Sequence, residues 1–413
     1  MNGGGDVNKA SRRNIFILSF TLLVVTLGYG MVMPVMPFYI EKLGAGGSEL
    51  GWLMSTYSLM QLVCAPVWGI LSDRYGRKPI LSVGVLGYAI AFFMFGLSKT
   101  FAMLFTARTL SGILSSATMP SAMAYIGDNA PQEEKSRAMG QLGAMTGVGV
   151  VLGPLMGGLL STGSLSLPFF TGSALAFLAF VLVITLLPEQ KRSVSRQVGP
   201  PQDPAGSGKD QPESKIPGPA RSIGQVYLHV LLSPAGVLLL LILIMSFGLT
   251  NFQGMIGLYV VDKLDFNTAQ VGTLWMVLGG VLILVQGIMT GPLSKKYGER
   301  ALIRAGLLGG AAGFALVAMA VDYATMLLAV AFFILALGLI GPALNSHISA
   351  HAGENQGTVM GMSSAMNSLG RVIGPLWGGY IYEINYNYPF FSGAATLMLG
   401  LLLSMAGLRM RTG

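Results

Sequence analysis

The chain has 413 residues, 53% hydrophobic and only 10% charged, with 25 Lys and Arg against 17 Asp and Glu for a formal net charge of +8. Soluble domains carry about 25% charged residues, so this composition excludes one and indicates a chain that crosses a membrane repeatedly. With three histidines, one cysteine (Cys64), no phosphate-binding loop and no metal-ligand spacing, it offers no basis for an enzyme, an ATP-driven pump, a disulfide framework or a cofactor.

Apolar runs of roughly twenty residues, enough to cross about 30 Å of hydrocarbon as a helix, follow one another along the chain. Twelve spans are predicted: 14–40, 50–71, 79–98, 101–126, 138–160, 167–187, 233–261, 268–292, 301–320, 324–347, 357–382 and 388–408. The runs lack period-two alternation, so helices rather than a barrel must satisfy the backbone. We therefore expect an all-α membrane protein with twelve transmembrane helices in two pseudo-symmetric six-helix bundles.

The first span follows a short tail, 1–13, and is too long for a cleaved leader, so it is read as retained. The second runs into "GILSDRYGRKP" (69–79), where Gly76 permits a tight turn after Gly69, Asp73 and Arg74, and Arg77 and Lys78 follow. These charges can bridge to Asp128, Glu133 or Glu134 of the next loop on that side, or serve only to set topology. In the fourth span Arg108 sits among apolar residues, where insertion costs about 2.5–3.5 kcal/mol, so it should face the bundle interior. The fifth carries Gly149, Gly153 and Gly157 at spacing four, with Pro154 and Gly158 beside them: a small-residue face, a hinge, or both.

Residues 188–232 are rich in Pro, Gly, Ser and charge and read as a linker between two halves, 14–187 and 233–408, before a tail at 409–413. Those halves echo one another. Gly76 in "RYGRK" and Gly298 in "KYGER" are 222 residues apart, while "GVVLGPLMGG" and "GRVIGPLWGG" are 221 apart, as are "RAMG" and "TVMG". Such agreement indicates parallel repeats, which place a substrate site near the bilayer midplane between them. Apart from Arg108 and Arg371 inside spans, and Lys42, Lys99 and Lys263 opposite, the Lys and Arg fall on the side of the N-terminus. Both termini are thus expected in the cytoplasm of a multi-pass inner-membrane protein, and the basic charge reflects topology and anionic lipid rather than nucleic acid.

"GILSDRYGRKP" resembles the signature loop of the major facilitator superfamily, "RTLSG" from Arg108 resembles its fourth-span motif, and "GVVLGPLMGG" is similar to the fifth-span antiporter motif of its drug-exporting branch. Within that branch "GMVMPVMP" and "GPLSKKYGER" look most like bacterial tetracycline/proton antiporters. The resemblance implies a conformational latch at Gly69, Asp73, Arg74, Gly76, Arg77 and Asp128, a part for Arg108 in proton coupling, and an antiporter element at Gly149, Gly153, Pro154, Gly157 and Gly158. Where those exporters carry acids and a histidine in spans one, nine and eight, this chain has Val25, Gly310 and Leu282.

No Asp or Glu occupies the middle of a predicted span, so Asp128, at the inner end of span four, is the first candidate for the coupling proton. Tyr29, Met33, Tyr57, Gln61, Asn251, Gln253, Trp275, Asn345, Asn367 and Arg371 supply adaptable, aromatic or amide surface for a bulky substrate. The expected function is export of amphiphilic, drug-like small molecules by alternating access in exchange for protons, by a monomer. A metabolite or sugar uniporter or symporter of the same fold, or a lipid-translocating transporter, is the alternative.

Overall fold

A computed structural model describes residues 3–130, 132–189, 234–351 and 356–407. The expected linker lies outside the described residues beyond Glu189, and so does the tail at 409–413. In chain order the helices are α1 (Gly3–Lys42), α2 (Gly47–Tyr75), α3 (Arg77–Leu97), α4 (Phe101–Ser115), α5 (Thr118–Asn129), α6 (Gln132–Ser161), α7 (Leu167–Leu186), α8 (Pro234–Leu264), α9 (Thr268–Leu284), a π segment (Val285–Met289), α10 (Thr290–Tyr297), α11 (Glu299–Met319), α12 (Tyr323–Gly338), α13 (Ile340–His351), α14 (Gln356–Ile384) and α15 (Tyr388–Gly407). Ten helical segments among the described residues are long and apolar enough to cross a membrane, and α4–α5 and α14 complete the twelve expected rods.

Several expected boundaries are corrected. Helix α1 begins at Gly3, so most of the expected N-terminal tail is its first turns; no proline interrupts that stretch. The charged stretch 69–79 is not a loop but the ends of two helices, α2 running through Asp73 and Arg74, α3 starting at Arg77, and Gly76 alone making the turn at φ +100°. Gly298 does the same between α10 and α11 at φ +79°. An L side chain rarely adopts such a φ.

Spans four and ten are each broken, at Ser116–Ala117 and at Leu339. Pro120 and Pro342, three or four residues on, cannot donate to the helix carbonyl four residues back, so the ladder opens there. Tightening fills part of the gap, with Ala117 N–H donating to Leu114 O at 3.2 Å. The two prolines stand 222 residues apart, so even the kink is repeated.

Contacts obey the same symmetry. Helix α1 packs along α6, and α8 along α14; between the halves α2 packs on α14 and α6 on α9. Each half also holds an aromatic cluster at repeated positions, Phe92 against Phe169 at 6.2 Å and Phe314 against Phe390 at 6.3 Å. Edge-to-face rings of this kind add about 0.5–1.5 kcal/mol beyond their burial. Helix α12 is capped by Asp322, whose carboxylate accepts from Thr325 N–H at 2.8 Å, and these Thr325 contacts hold it below the usual carboxylate range.

Candidate functional site

For orientation, the end carrying the Gly76 and Gly298 turns is the basic end, and the end carrying the α1–α2 turn is the far end. Toward the far end the two halves meet backbone to backbone. A methyl built on Gly51 would strike the Pro375 carbonyl of α14, and one on Gly158 would meet Gly272 Cα of α9 at 2.8 Å. Across the α2–α14 seam Ser55 Oγ donates to Val372 O at 2.6 Å, and Ser48 N–H donates to Glu383 Oε1 at 3.1 Å. Approaching the basic end, Gly279 still faces Val150 and Gly147 still faces Ile283, but a methyl on Gly143, Gly140 or Gly361 would meet nothing within 4 Å. The halves are sealed at the far end and separated at the basic end.

The space between them is a chain of connected chambers. A cavity of about 170 Å³ is lined by Tyr29, Met33, Met54, Ser58, Arg108, Met245, Ser246, Leu249, Thr250, Gln253, Asn367, Arg371 and Pro375, among others. It shares Ser58 and Arg371 with a chamber of about 390 Å³ that reaches Gln61, Pro66 and Pro120. Through Met245, Leu249 and Asn367 it joins another of about 570 Å³, which holds Asn345.

Arg108 is 2% exposed. Its guanidinium lies 4.4 Å from the centre of the Tyr57 ring and 5.9 Å from that of Tyr29. Its Nε donates to Leu53 O, and an NH2 group faces the Met54 sulfur, both at 3.4 Å. A desolvated cation on an aromatic face gains about 2 kcal/mol and a hydrogen bond to a charged group about 1.5–3 kcal/mol. Together these offset the insertion cost of about 2.5–3.5 kcal/mol with no carboxylate. Tyr57 is itself tied in, its hydroxyl accepting from Gln61 Nε2 at 3.0 Å and from Ser115 Oγ at 3.2 Å. Arg371 completes the link, donating to Gln61 Oε1 at 3.3 Å from the other half.

Most of the residues expected to bind substrate are brought together: Tyr29, Met33, Gln253, Asn367 and Arg371 in the central chamber, Gln61 and Asn345 in its extensions, and Tyr57 behind Arg108. Two are not. Asn251 is fully buried beside α15, where its amide donates to Pro389 O at 2.7 Å. Trp275 is 6% exposed and packs in the core of α9, its indole N–H without a partner among the described residues. Met245, Ser246, Leu249 and Thr250 were missed. Together with Gln253 they recur at helical spacing on one face of α8, the signal that would have found them.

The family model for the Major Facilitator Superfamily matches residues 18–375 and 238–412. The chain belongs to the major facilitator superfamily. Its similarity to two drug-resistance proteins of this superfamily spans nearly its whole length. It is 30% identical to Multidrug resistance protein 2 of Bacillus subtilis (strain 168), over 95% of each chain, and 29% identical to Quinolone resistance protein NorA of Staphylococcus aureus (strain COL), again over 95% of each. Among solved structures the fold matches an inward-facing bacterial homologue of the human lysosomal transporter Spinster, with TM-score 0.74 at 15% identity over 96% and 95% of the two chains. It also matches the nucleoside transporter NupG, with TM-score 0.76 at 12% identity over 95% and 99%. The superfamily marks a transporter rather than an enzyme, integral to the membrane.

In this superfamily member Asp73, Arg77 and Asp128, three of the residues expected to form a latch, meet at the basic end of the first half. Arg77 pairs with Asp73 one turn back, and its Nε donates to Asp128 Oδ2 of α5 at 3.0 Å. Arg74 lies exposed over Tyr75, with its guanidinium 5.5 Å from the ring centre, and Gly69 faces open space. The second half repeats the link with other residues, Glu299 on α11 meeting His347 of α13 at 2.9 Å. Of the residues expected to form an antiporter element, Gly149, Gly153 and Gly157 pack on the α1 backbone inside one half, while Gly158 and the Pro154 carbonyl reach α9 across the seam.

Proposed function

We propose that this chain exports amphiphilic, drug-like small molecules from the cytoplasm by alternating access, in exchange for protons. One observation carries the reading: a central cavity lined by both halves, closed at the far end by glycine seams and open at the basic end. The positive-inside rule makes the basic end cytoplasmic, so the chain is caught ready to load from inside, with both termini on that side of the plasma membrane. The relatives named for multidrug and quinolone resistance support the choice of cargo. The halves, 14–187 and 233–408, rock about the α2–α14 and α6–α9 seams as single bodies joined by the linker, and a monomer holds everything the cycle needs.

Asp128 is the coupling carboxylate in this scheme. It is paired with Arg77 in the inward-open state, and the latch exchanges that partner when the basic end closes. Asp128→Asn is expected to lower pH-gradient-driven export about tenfold. Because the pair is about half exposed on the Asp128 side, the fold should change by less than about 1 kcal/mol. Proteoliposomes under an imposed pH gradient, with a melting curve alongside, measure both; unchanged gradient-driven export would remove Asp128 from the proton route.

The broader reading is tested in a host stripped of its own exporters, by retention of neutral, cationic and anionic dyes with and without the protein. Export of any class, abolished by collapsing the ion gradients, is expected. Equal retention of every dye would end the export reading.

A further inference from the structure

We propose that the central cavity is built for an amphiphile with an anionic head, a carboxylate, sulfonate or phosphate, held between Arg108 and Arg371. This deepens the export reading and rests on it.

Both guanidiniums line the same chamber, and neither that chamber nor the two joined to it has an Asp or Glu among its lining residues. Arg108 is nearly completely buried, yet its partners are a carbonyl, a thioether and two phenol rings, all neutral. Arg371 donates to a neutral amide, Gln61. The ion pairs found among the described residues lie at the basic end, in the Asp73–Arg77–Asp128 cluster and at Glu299 with His347. The field inside the cavity is therefore positive, so a cationic guest is repelled and an anion attracted.

Guanidinium is suited to such a guest because its fork presents two parallel donors to an oxyanion. The rest of the wall fits an apolar body: Met33, Met54, Met245 and Leu249 are flexible or aliphatic and adjust to shape. Export of an anion also moves negative charge out of a cell that is negative inside, so the membrane potential itself favours the direction. A cavity without a carboxylate suits that cargo, since no fixed negative charge opposes its entry.

Equilibrium dialysis of the purified full-length protein against 1-pyrenesulfonate and 1-pyrenemethylammonium, which share one ring system and differ in charge, reads the preference directly. The sulfonate is expected to bind at least about tenfold more tightly. Arg371→Gln should weaken the sulfonate about tenfold without weakening the ammonium, Arg371→Lys should keep most of the preference, and melting curves confirm that each variant is folded. Ammonium binding as tight as the sulfonate, or an equal loss of both in the folded Arg371→Gln protein, would overturn the proposal. Competition separates two sources of the same head group. Displacement by lysophosphatidylglycerol but not lysophosphatidylcholine assigns it to a lipid, no displacement by either assigns it to a soluble amphiphile, and equal displacement by both counts against a charge-selective site. Cells that extrude cationic dyes but not anionic ones would leave export standing and remove this inference alone.

Discussion

Gly158→Val is expected to cut transport at least tenfold while leaving a folded protein. The added side chain would drive into Thr268 O and the Gly272 backbone, and backbone cannot rotate aside. The clash lies between the halves, so each bundle still forms its own α1–α6 or α8–α14 core. Only the state with the far end shut is penalised. Overpacking of this kind costs about 1–3 kcal/mol, which shifts a two-state equilibrium by roughly 5- to 150-fold toward the form open at the far end. Gly51→Val should act likewise against the Pro375 carbonyl, whereas Gly163→Val, with nothing within 4 Å, should be silent. Initial export rates in proteoliposomes, read with thermal unfolding, decide it; a Gly158→Val protein retaining half its rate would mean that the seam is not the moving joint.

Removing Arg108 should separate stability from function. Arg108→Met deletes a buried cation that no carboxylate neutralises, and the ring and carbonyl contacts it loses are offset by the insertion cost of about 2.5–3.5 kcal/mol that it removes. The melting temperature should therefore hold or rise. Transport should fall at least a hundredfold, because the Tyr57 ring, the Leu53 carbonyl and the cavity all lose the group that orients them. Arg108→Lys should recover little, since a compact ammonium cannot both cover the Tyr57 ring and reach the Leu53 carbonyl as a planar guanidinium does. A folded Arg108→Met protein with near-normal export would show that the cation is structural.

Much of this architecture is legible in the sequence. The spans, the 221–222-residue repeat and the turns at Gly76 and Gly298 follow from local composition and register, and the structure adds Pro120 with Pro342, and Phe92 with Phe314, to the same repeat. The kinks in spans four and ten were readable from those prolines but were hidden by unbroken hydrophobicity on either side. Asn251 and Gln253 show where reading failed. Two residues apart on α8, they differ by about 200° around the helix, and only Gln253 faces the cavity while Asn251 turns to Pro389.

The same contrast runs through the molecule. The number of spans, the doubling of the chain and the sidedness of its basic residues were determined by sequence alone, because the cost of placing each residue in lipid or at its surface is local and sums along the chain. Which end is shut, which polar side chains share a cavity, and that Arg371 meets Gln61 from the opposite half were decided only by tertiary structure. Those outcomes depend on how each helix is rotated about its axis and how closely glycine faces let distant backbones approach, and no term within a single span contains either.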